Sequence, residues 1–287
     1  MANIRYFFQF IIIMFLFLIF KIIGLRYSLI LSSYTLKIFG PLFRSNKISN
    51  TNIALAMPSA DENSRKKIIK NMWVNYGKIL SEYMFIKNFR TDTKYSEKIN
   101  ILNKDVLDKI KSKNKPVIFV SGHFNNFELM AMSIEKSSIN LAAVYRPLNN
   151  IFLNPIMEKI RKKYICKNQI KKGKSGNREL LKFFKNNVSI ALMIDQRVSQ
   201  GIESNFFDKK ALTTTIPAQF VKKFNAEIVP VYIERIENDN FNIKFFDPIR
   251  FKEDQNTNQI TEKLNKILEE MILKNPDQWI WTHNRWK

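Results

Sequence analysis

Between residues 6 and 25 the chain is almost wholly apolar, interrupted only by Gln9 and Lys21. Such a run has two homes, a bilayer or a packed core, and about 20 apolar residues suffice to cross the hydrocarbon as a helix. A cleaved signal peptide with Arg5 as its basic segment is the rival reading. Lys21, Arg26 and Lys37 follow the apolar run, and no convincing small-x-small cleavage site comes after it. A retained anchor is therefore expected. Residues 27–43 read as amphipathic and basic, which suits the membrane interface. No acid occurs before Asp61, whereas Lys21, Arg26, Lys37, Arg44 and Lys47 lie beyond the centre of the run. The positive-inside tendency then places the body of the protein on the cytoplasmic side, where anionic lipid attracts the same charges. The expected division is an anchor and interfacial helix at 1–45 and a larger domain at 46–287. Whether the anchor spans the bilayer or lies in its surface stays open at this level.

The rest of the chain switches period. Residues 61–87 read as a helix, with Ser59, Asp61 and Ser64 as possible caps and Ile68, Ile69, Met72, Trp73, Tyr76, Ile79, Leu80 and Tyr83 as its apolar face. From Pro116 onward short apolar runs alternate with helical patterns. Strands are expected at 117–120, 141–145, 188–194, 228–233 and 241–246, with helices to Ile134, over 155–164, over 216–224 and over 257–273. This alternation predicts an α/β fold, a mostly parallel central sheet flanked by helices, with its ligand at the carboxyl ends of the strands. His123, Arg146 and Asp195 each follow an expected strand.

Charge and composition narrow the function. A net charge of +22 over 287 residues favours anionic partners: nucleic acid, lipid headgroups, phosphorylated substrates or an acidic carrier. The basic residues are dispersed and no nucleic-acid-binding motif is present, so no nucleic-acid partner is expected. Cys166 is the only cysteine, which excludes an intramolecular disulfide. Flanking lysines could lower its pKa, but a half-buried helix position is the plainer reading.

Only two histidines occur, His123 and His283. Histidine as a residue type titrates near neutral pH, and one placed just past a Gly turn at a strand end suits general-base work. Glu128 lies five residues on, off the same face of an ideal helix. With His123 in the turn, a carboxylate one turn into the helix can reach back and fix the imidazole tautomer, as in hydrolase triads. The substrate's own hydroxyl then serves as nucleophile. A capping histidine with a surface glutamate is the structural alternative. A zinc site is disfavoured because no third nearby histidine or cysteine completes one.

The stretch Ser121-Gly122-His123-Phe124-Asn125-Asn126-Phe127-Glu128 resembles the G-H-F-G-N-W-E segment of the lipid A biosynthesis acyltransferases, the lauroyl and myristoyl transferases of lipopolysaccharide assembly. Further segments are similar in the same order. Val144-Tyr145-Arg146-Pro147-Leu148-Asn149-Asn150 resembles V-Y-R-P-x-x-N, and Asp195-Gln196 resembles a D-Q element after a strand. Phe206-Phe207 with Ala211 and Thr213 resembles F-F-G-x-x-A-x-T, and Ile228-Val229-Pro230-Val231 resembles V-V-P-V. The ending from Pro276 through Gln278, Trp279, Trp281, His283, Arg285 and Trp286 resembles P-x-Q-W-x-W-x-H-x-R-W. Asn125 and Asp208 stand where the family has Gly, Asn186-Asn187 replaces a common Gly, and Phe127 replaces Trp.

The resemblance implies a glycerolipid-acyltransferase-like fold at the inner membrane. It also implies transfer of a fatty acyl group from an acyl-carrier-protein or coenzyme A thioester to a hydroxyl of a lipid A precursor. His123 would be the general base and Glu128 its orienting partner. No cofactor is implied beyond the donor substrate, and the partners are acyl carrier protein, the glycolipid and the membrane. Arg146, Asp195 and Gln196 become candidates for substrate binding. Arg146 would contact a phosphate or oxyanion, or form a structural ion pair with Asp195. His283, among three tryptophans, is expected in packing or at the membrane interface. Two alternatives stay open: acylation of another membrane lipid, such as a phosphatidylinositol mannoside or a glycerophosphate, and a non-enzymatic basic scaffold at the membrane. Glycerophosphate enzymes usually carry Asp at the Glu128 position, which disfavours that branch.

Overall fold

The computed structural model describes residues 2–287. Helix α1 runs from Ala2–Phe43 and breaks at Gly24, whose φ of 75° and ψ of 169° leave the helical region. Helix α2 (Asn46–Ala56) and helix α3 (Glu62–Glu82) follow. Asp61 is the N-cap of α3, its carboxylate accepting the Ser64 N–H at 2.8 Å. The expected helix over 61–87 ends early, tightening into a 3₁₀ turn at Tyr83–Phe85 before the short helices α4 (Ile86–Thr91) and α5 (Thr93–Ser96). The turn occurs where polar groups face inward. Buried Glu82 pairs with Arg235 at 2.5 Å, and buried Tyr83 bonds Glu128.

The α/β body begins with β1 (Ile99–Leu102), α6 (Lys104–Lys113) and β2 (Ile118–Ser121). Next come α7 (Glu128–Lys136), β3 (Leu141–Tyr145) and α8 (Asn154–Ile160), the last continuing into a π-helical turn at Arg161–Ile165. After β4 (Asn168–Lys171), α9 (Lys174–Lys185) and β5 (Ser189–Met193), the strands β6 (Ile202–Phe206) and β7 (Lys209–Thr213) form a separate antiparallel hairpin. The chain closes with α10 (Ile216–Phe224), β8 (Ile228–Arg235), β9 (Phe241–Phe245) and α11 (Thr257–Lys274).

Seven strands form one sheet in the order β1-β9-β8-β2-β5-β3-β4. Only β8 and β9 pair antiparallel; every other neighbour pair is parallel. The expected fold class is thus observed. Central strands are continuous apolar runs because both faces are covered: all four residues of β2 are buried, as are residues 228–234 of β8. The chain leaves β2 toward β3 on one side and leaves β5 toward β8 on the other. That reversal makes the carboxyl ends of β2 and β5 a topological switch point, where a crevice opens in open α/β sheets. Five elements of the body, β1, α6, β4, α9 and the β6–β7 hairpin, have no counterpart in the elements expected from periodicity.

Helix α1 is part of this core. Phe17, Phe20, Leu25 and Leu29 are buried in the same apolar cluster as the central strands. Its second half meets α3 backbone to backbone: a Cβ added at Gly77 would lie 2.2 Å from the Ser32 carbonyl oxygen.

Candidate active site

Strands β2 and β5 are paired with Ser121 opposite Met193, so the residues two positions beyond each strand, His123 and Asp195, emerge level with one another. Asp195 is fully buried and its carboxylate is saturated with donors. Oδ1 lies 2.8 Å from His123 Nδ1, while Oδ2 accepts the His123 backbone N–H and the Trp279 indole N–H, each at 2.8 Å. Burial opposes the Asp195 charge, but His123 and these bonds outweigh it and hold the carboxyl down to about 2. The Asp195 bond places the ring proton on Nδ1 and leaves Nε2 as the acceptor. Gly122 permits this approach, since a Cβ there would sit 2.9 Å from the Phe124 ring and 3.4 Å from the Asp195 Cβ.

Glu128 does not reach back to the imidazole. Its Oε1 accepts the Tyr83 hydroxyl and the Arg161 Nε–H, the latter at 2.8 Å. Glu128 starts α7 and is buried against the π-turn after α8, so the carboxylate that holds His123 comes from another strand. Burial disfavours the Arg161 charge, yet Glu128 and Tyr83 more than offset it and raise its pKa. The same burial, reinforced by Glu128, pushes the Tyr83 phenol well up. Sequence reasoning missed both partners: Tyr83 reads there as part of an apolar helix face, and Arg161 falls within the helix expected over 155–164 with no role assigned to it.

His123 opens onto a cavity of about 490 Å³, a size typical of small-molecule sites. Among the described residues, six cations line it, Arg44, Arg146, Arg161, Lys171, Lys172 and Arg197, against the single carboxylate of Glu128. Burial and then the neighbouring Arg146 lower the Lys172 pKa, a sign of crowded positive charge. The other walls are apolar: Met130, Ala131, Val144, Leu180, Ala191, Leu192 and Ile216. Arg146 and Gln196 line the cavity. Arg146 is exposed and forms no ion pair with Asp195, whose oxygens are taken by His123 and Trp279.

His283 also lines the cavity, where packing or a membrane interface was expected. Its Nε2 accepts the Arg197 backbone N–H at 2.9 Å, which puts its proton on Nδ1. Burial pushes this imidazole down to about 4, so it is neutral at pH 7. Cys166 is fully buried, with its thiol on the Leu141 and Asn168 carbonyls, and burial pushes it up to about 12. That thiol is inert.

The departures from the family pattern have a backbone explanation. Asn125, Asn187 and Asp208 have φ of 41°, 59° and 55°. Each occupies the left-handed region, where Asn and Asp are the side chains best tolerated after Gly. Asn125 is further tied to Gln278, through its side chain and through its N–H to the Gln278 carbonyl at 3.0 Å. Phe127, in place of Trp, packs its ring edge-on to His123 with centroids 4.8 Å apart.

Comparison with known proteins agrees with this architecture. The family description "Bacterial lipid A biosynthesis acyltransferase" matches residues 1–287. The palmitoleoyltransferase of lipid A biosynthesis from Escherichia coli K12 is 23% identical over 250 residues, covering 86% of this chain and 80% of that protein. A lipid A biosynthesis acyltransferase of Haemophilus influenzae is 22% identical over 250 residues, covering 85% and 78%. Acyltransferase 2 of Shigella flexneri is 20% identical over 246 residues, covering 83% and 76%. With its α/β body and its apolar N-terminal helix, the chain belongs to the bacterial lipid A biosynthesis acyltransferase family and is an acyltransferase.

Proposed function

We propose that the protein moves a fatty acyl chain from an acyl-carrier-protein thioester to a hydroxyl of a lipid A precursor, with His123 as general base and Asp195 as the group that orients it. The observation that carries this reading is the His123–Asp195 contact at 2.8 Å beside a cavity whose lining combines cationic and apolar side chains. An acyl chain suits the apolar walls, and phosphates of a glycolipid or of a carrier's prosthetic arm suit the cations.

The chemistry balances without a protein nucleophile. The acceptor hydroxyl passes its proton to His123 Nε2 as its oxygen attacks the thioester carbonyl. Asp195 stabilises the imidazolium through Nδ1–H, the part a carboxylate plays beside a catalytic histidine. The tetrahedral oxyanion is favoured by the surrounding cations and by N–H donors such as His283 Nδ1. Collapse breaks the C–S bond, and the thiolate leaves with the proton from Nε2. No cofactor takes part. Glu128 positions Arg161 in the cavity wall rather than acting on His123.

Mass spectrometry of lipid A precursor incubated with purified full-length protein tests the reading. Acyl-carrier-protein thioester should yield one added acyl chain, and His123→Ala should abolish it. Equal turnover by His123→Ala and wild type would sink the mechanism. Equal use of coenzyme A thioester would sink the carrier preference alone.

A further inference from the structure

Glu82 is a buried carboxylate, 1% exposed, in the last turn of α3. The helix macrodipole opposes a negative charge there, and burial adds to the cost. Among the described residues each of its oxygens has one partner. Oε1 accepts from Arg235 Nη1 at 2.5 Å, and Oε2 accepts the Asn126 side-chain N–H at 3.0 Å. A buried ion pair returns little net stability once both charges are desolvated. What this pair fixes is direction: it aims a full negative charge at the amide of Asn126, three residues beyond His123.

Arg235 is the node of a frame beside the turn 122–128. It ends β8, which pairs with β2. Its guanidinium holds Glu82, while its main-chain N–H and carbonyl are both bonded by the Gln278 side chain, at 2.9 and 3.0 Å. Gln278 accepts the Asn125 N–H on its own carbonyl at 3.0 Å and bonds the Asn125 side chain. One residue on, Trp279 bridges Phe124 and gives its indole N–H to Asp195. Asn126 itself is fully buried, and its carbonyl accepts the Leu129 N–H at 3.0 Å at the start of α7. Next to Glu82, Tyr83 repeats the grip by bonding Glu128.

His123 is thereby held from two directions. Asp195 grips its ring and its N–H, and the frame holds the residues that follow it. Asp195 sets the tautomer, but the ring faces an acceptor hydroxyl only while the turn keeps its place. A shift of about 1 Å in a reacting group can cost about 100-fold in rate. We propose that Glu82 is a positioning residue for His123: braced by Arg235, it holds Asn126, and through Asn126 the turn that carries the imidazole. The frame stands on geometry alone; its effect on turnover rests on the acyl-transfer reading.

Exchanging the two polar groups tests the proposal. Asn126→Asp keeps size and shape but sets a second carboxylate beside Glu82, where like charges repel. The kcat for acyl transfer should fall about 100-fold, with the acceptor KM changed less than about twofold. Adding Glu82→Gln reverses the hydrogen bond, its amide now donating to the introduced carboxylate. The double variant should recover kcat to within about tenfold of wild type. No loss in Asn126→Asp, or a loss that Glu82→Gln leaves unrepaired, overturns the proposal.

The two histidines of the chain give a readout that needs no turnover. With isotope-labelled histidine, the His123 Nδ1–H resonance should shift or broaden in Asn126→Asp and return in the double variant. The resonance of His283, held by Arg197 and Asn52, should stay. A His123 resonance unmoved in the folded variant also overturns the proposal. Should Asn126→Asp not fold, Asn126→Ala removes the same bond without adding charge, and the same fall in kcat and displaced resonance are expected of it. His123→Ala at the wild-type rate would remove the acyl-transfer reading and leave the resonances to judge the frame.

Discussion

Asp195 holds His123 by both its ring and its backbone, with one carboxylate oxygen 2.8 Å from Nδ1 and the other 2.8 Å from the main-chain N–H. This double grip sets where the ring stands and which nitrogen bears the proton. Asp195→Asn removes the charge and permits the wrong tautomer. Turnover should fall on the order of 10³-fold or more with the fold retained, and the pH profile of kcat/KM should change shape. A loss below tenfold would assign the orienting role elsewhere.

Glu128 is expected to behave differently. It forms a pair with Arg161 whose side chains are 9% and 11% exposed. Glu128→Ala leaves a buried guanidinium without its partner and should cost about 3–5 kcal/mol in denaturant unfolding. The Glu128→Ala, Arg161→Ala double variant should cost less than the sum of the single variants. Additive losses would show that the two side chains are not coupled.

Asn125 separates backbone strain from side-chain contact. At φ 41°, Asn125→Ala meets the left-handed penalty of about 1–2 kcal/mol and also loses the Gln278 contact. Asn125→Gly loses only the contact and should be the more stable of the two by thermal unfolding. The reverse order would show that the left-handed backbone penalty is smaller than the extra unfolded-chain entropy that glycine brings.

The His283 imidazole predicts a pH dependence. Burial lowers its pKa from 6.5 to about 4, so the unfolded chain binds the proton more readily. Stability from this group is complete above pH 6.5 and is lost as pH falls toward about 4. Asp195 adds a lower step, its contribution fading from pH 3.8 toward about 2. His283→Gln, which keeps an acceptor for the Arg197 N–H, should flatten the dependence of Tm on pH between 6.5 and 4 only. An unchanged slope there would assign the acid sensitivity to other groups.

Much of the architecture is legible in local pattern. Runs such as 117–120 and 228–233, apolar throughout, announce buried parallel strands, and the motif residues His123, Arg146 and Asp195 follow strands as their spacing implies. The elements that escaped are those with weak periodicity. Strand β4 is polar at three of its four residues, and α9 carries Gly176 and four basic residues, Lys174, Arg178, Lys182 and Lys185.

The amino-acid sequence by itself determined the α/β class, the mostly parallel sheet and the apolar N-terminal helix, because each depends on side-chain period or on local turn chemistry. Tertiary structure alone decided which carboxylate serves His123. Glu128 is five residues away and points into the α8 side of the crevice, whereas Asp195 is 72 residues away and adjacent, because β2 lies beside β5 with Ser121 opposite Met193. It also decided that α1 rests against the body. Hydropathy reports that a helix avoids water, but only packing shows which of its faces is already occupied.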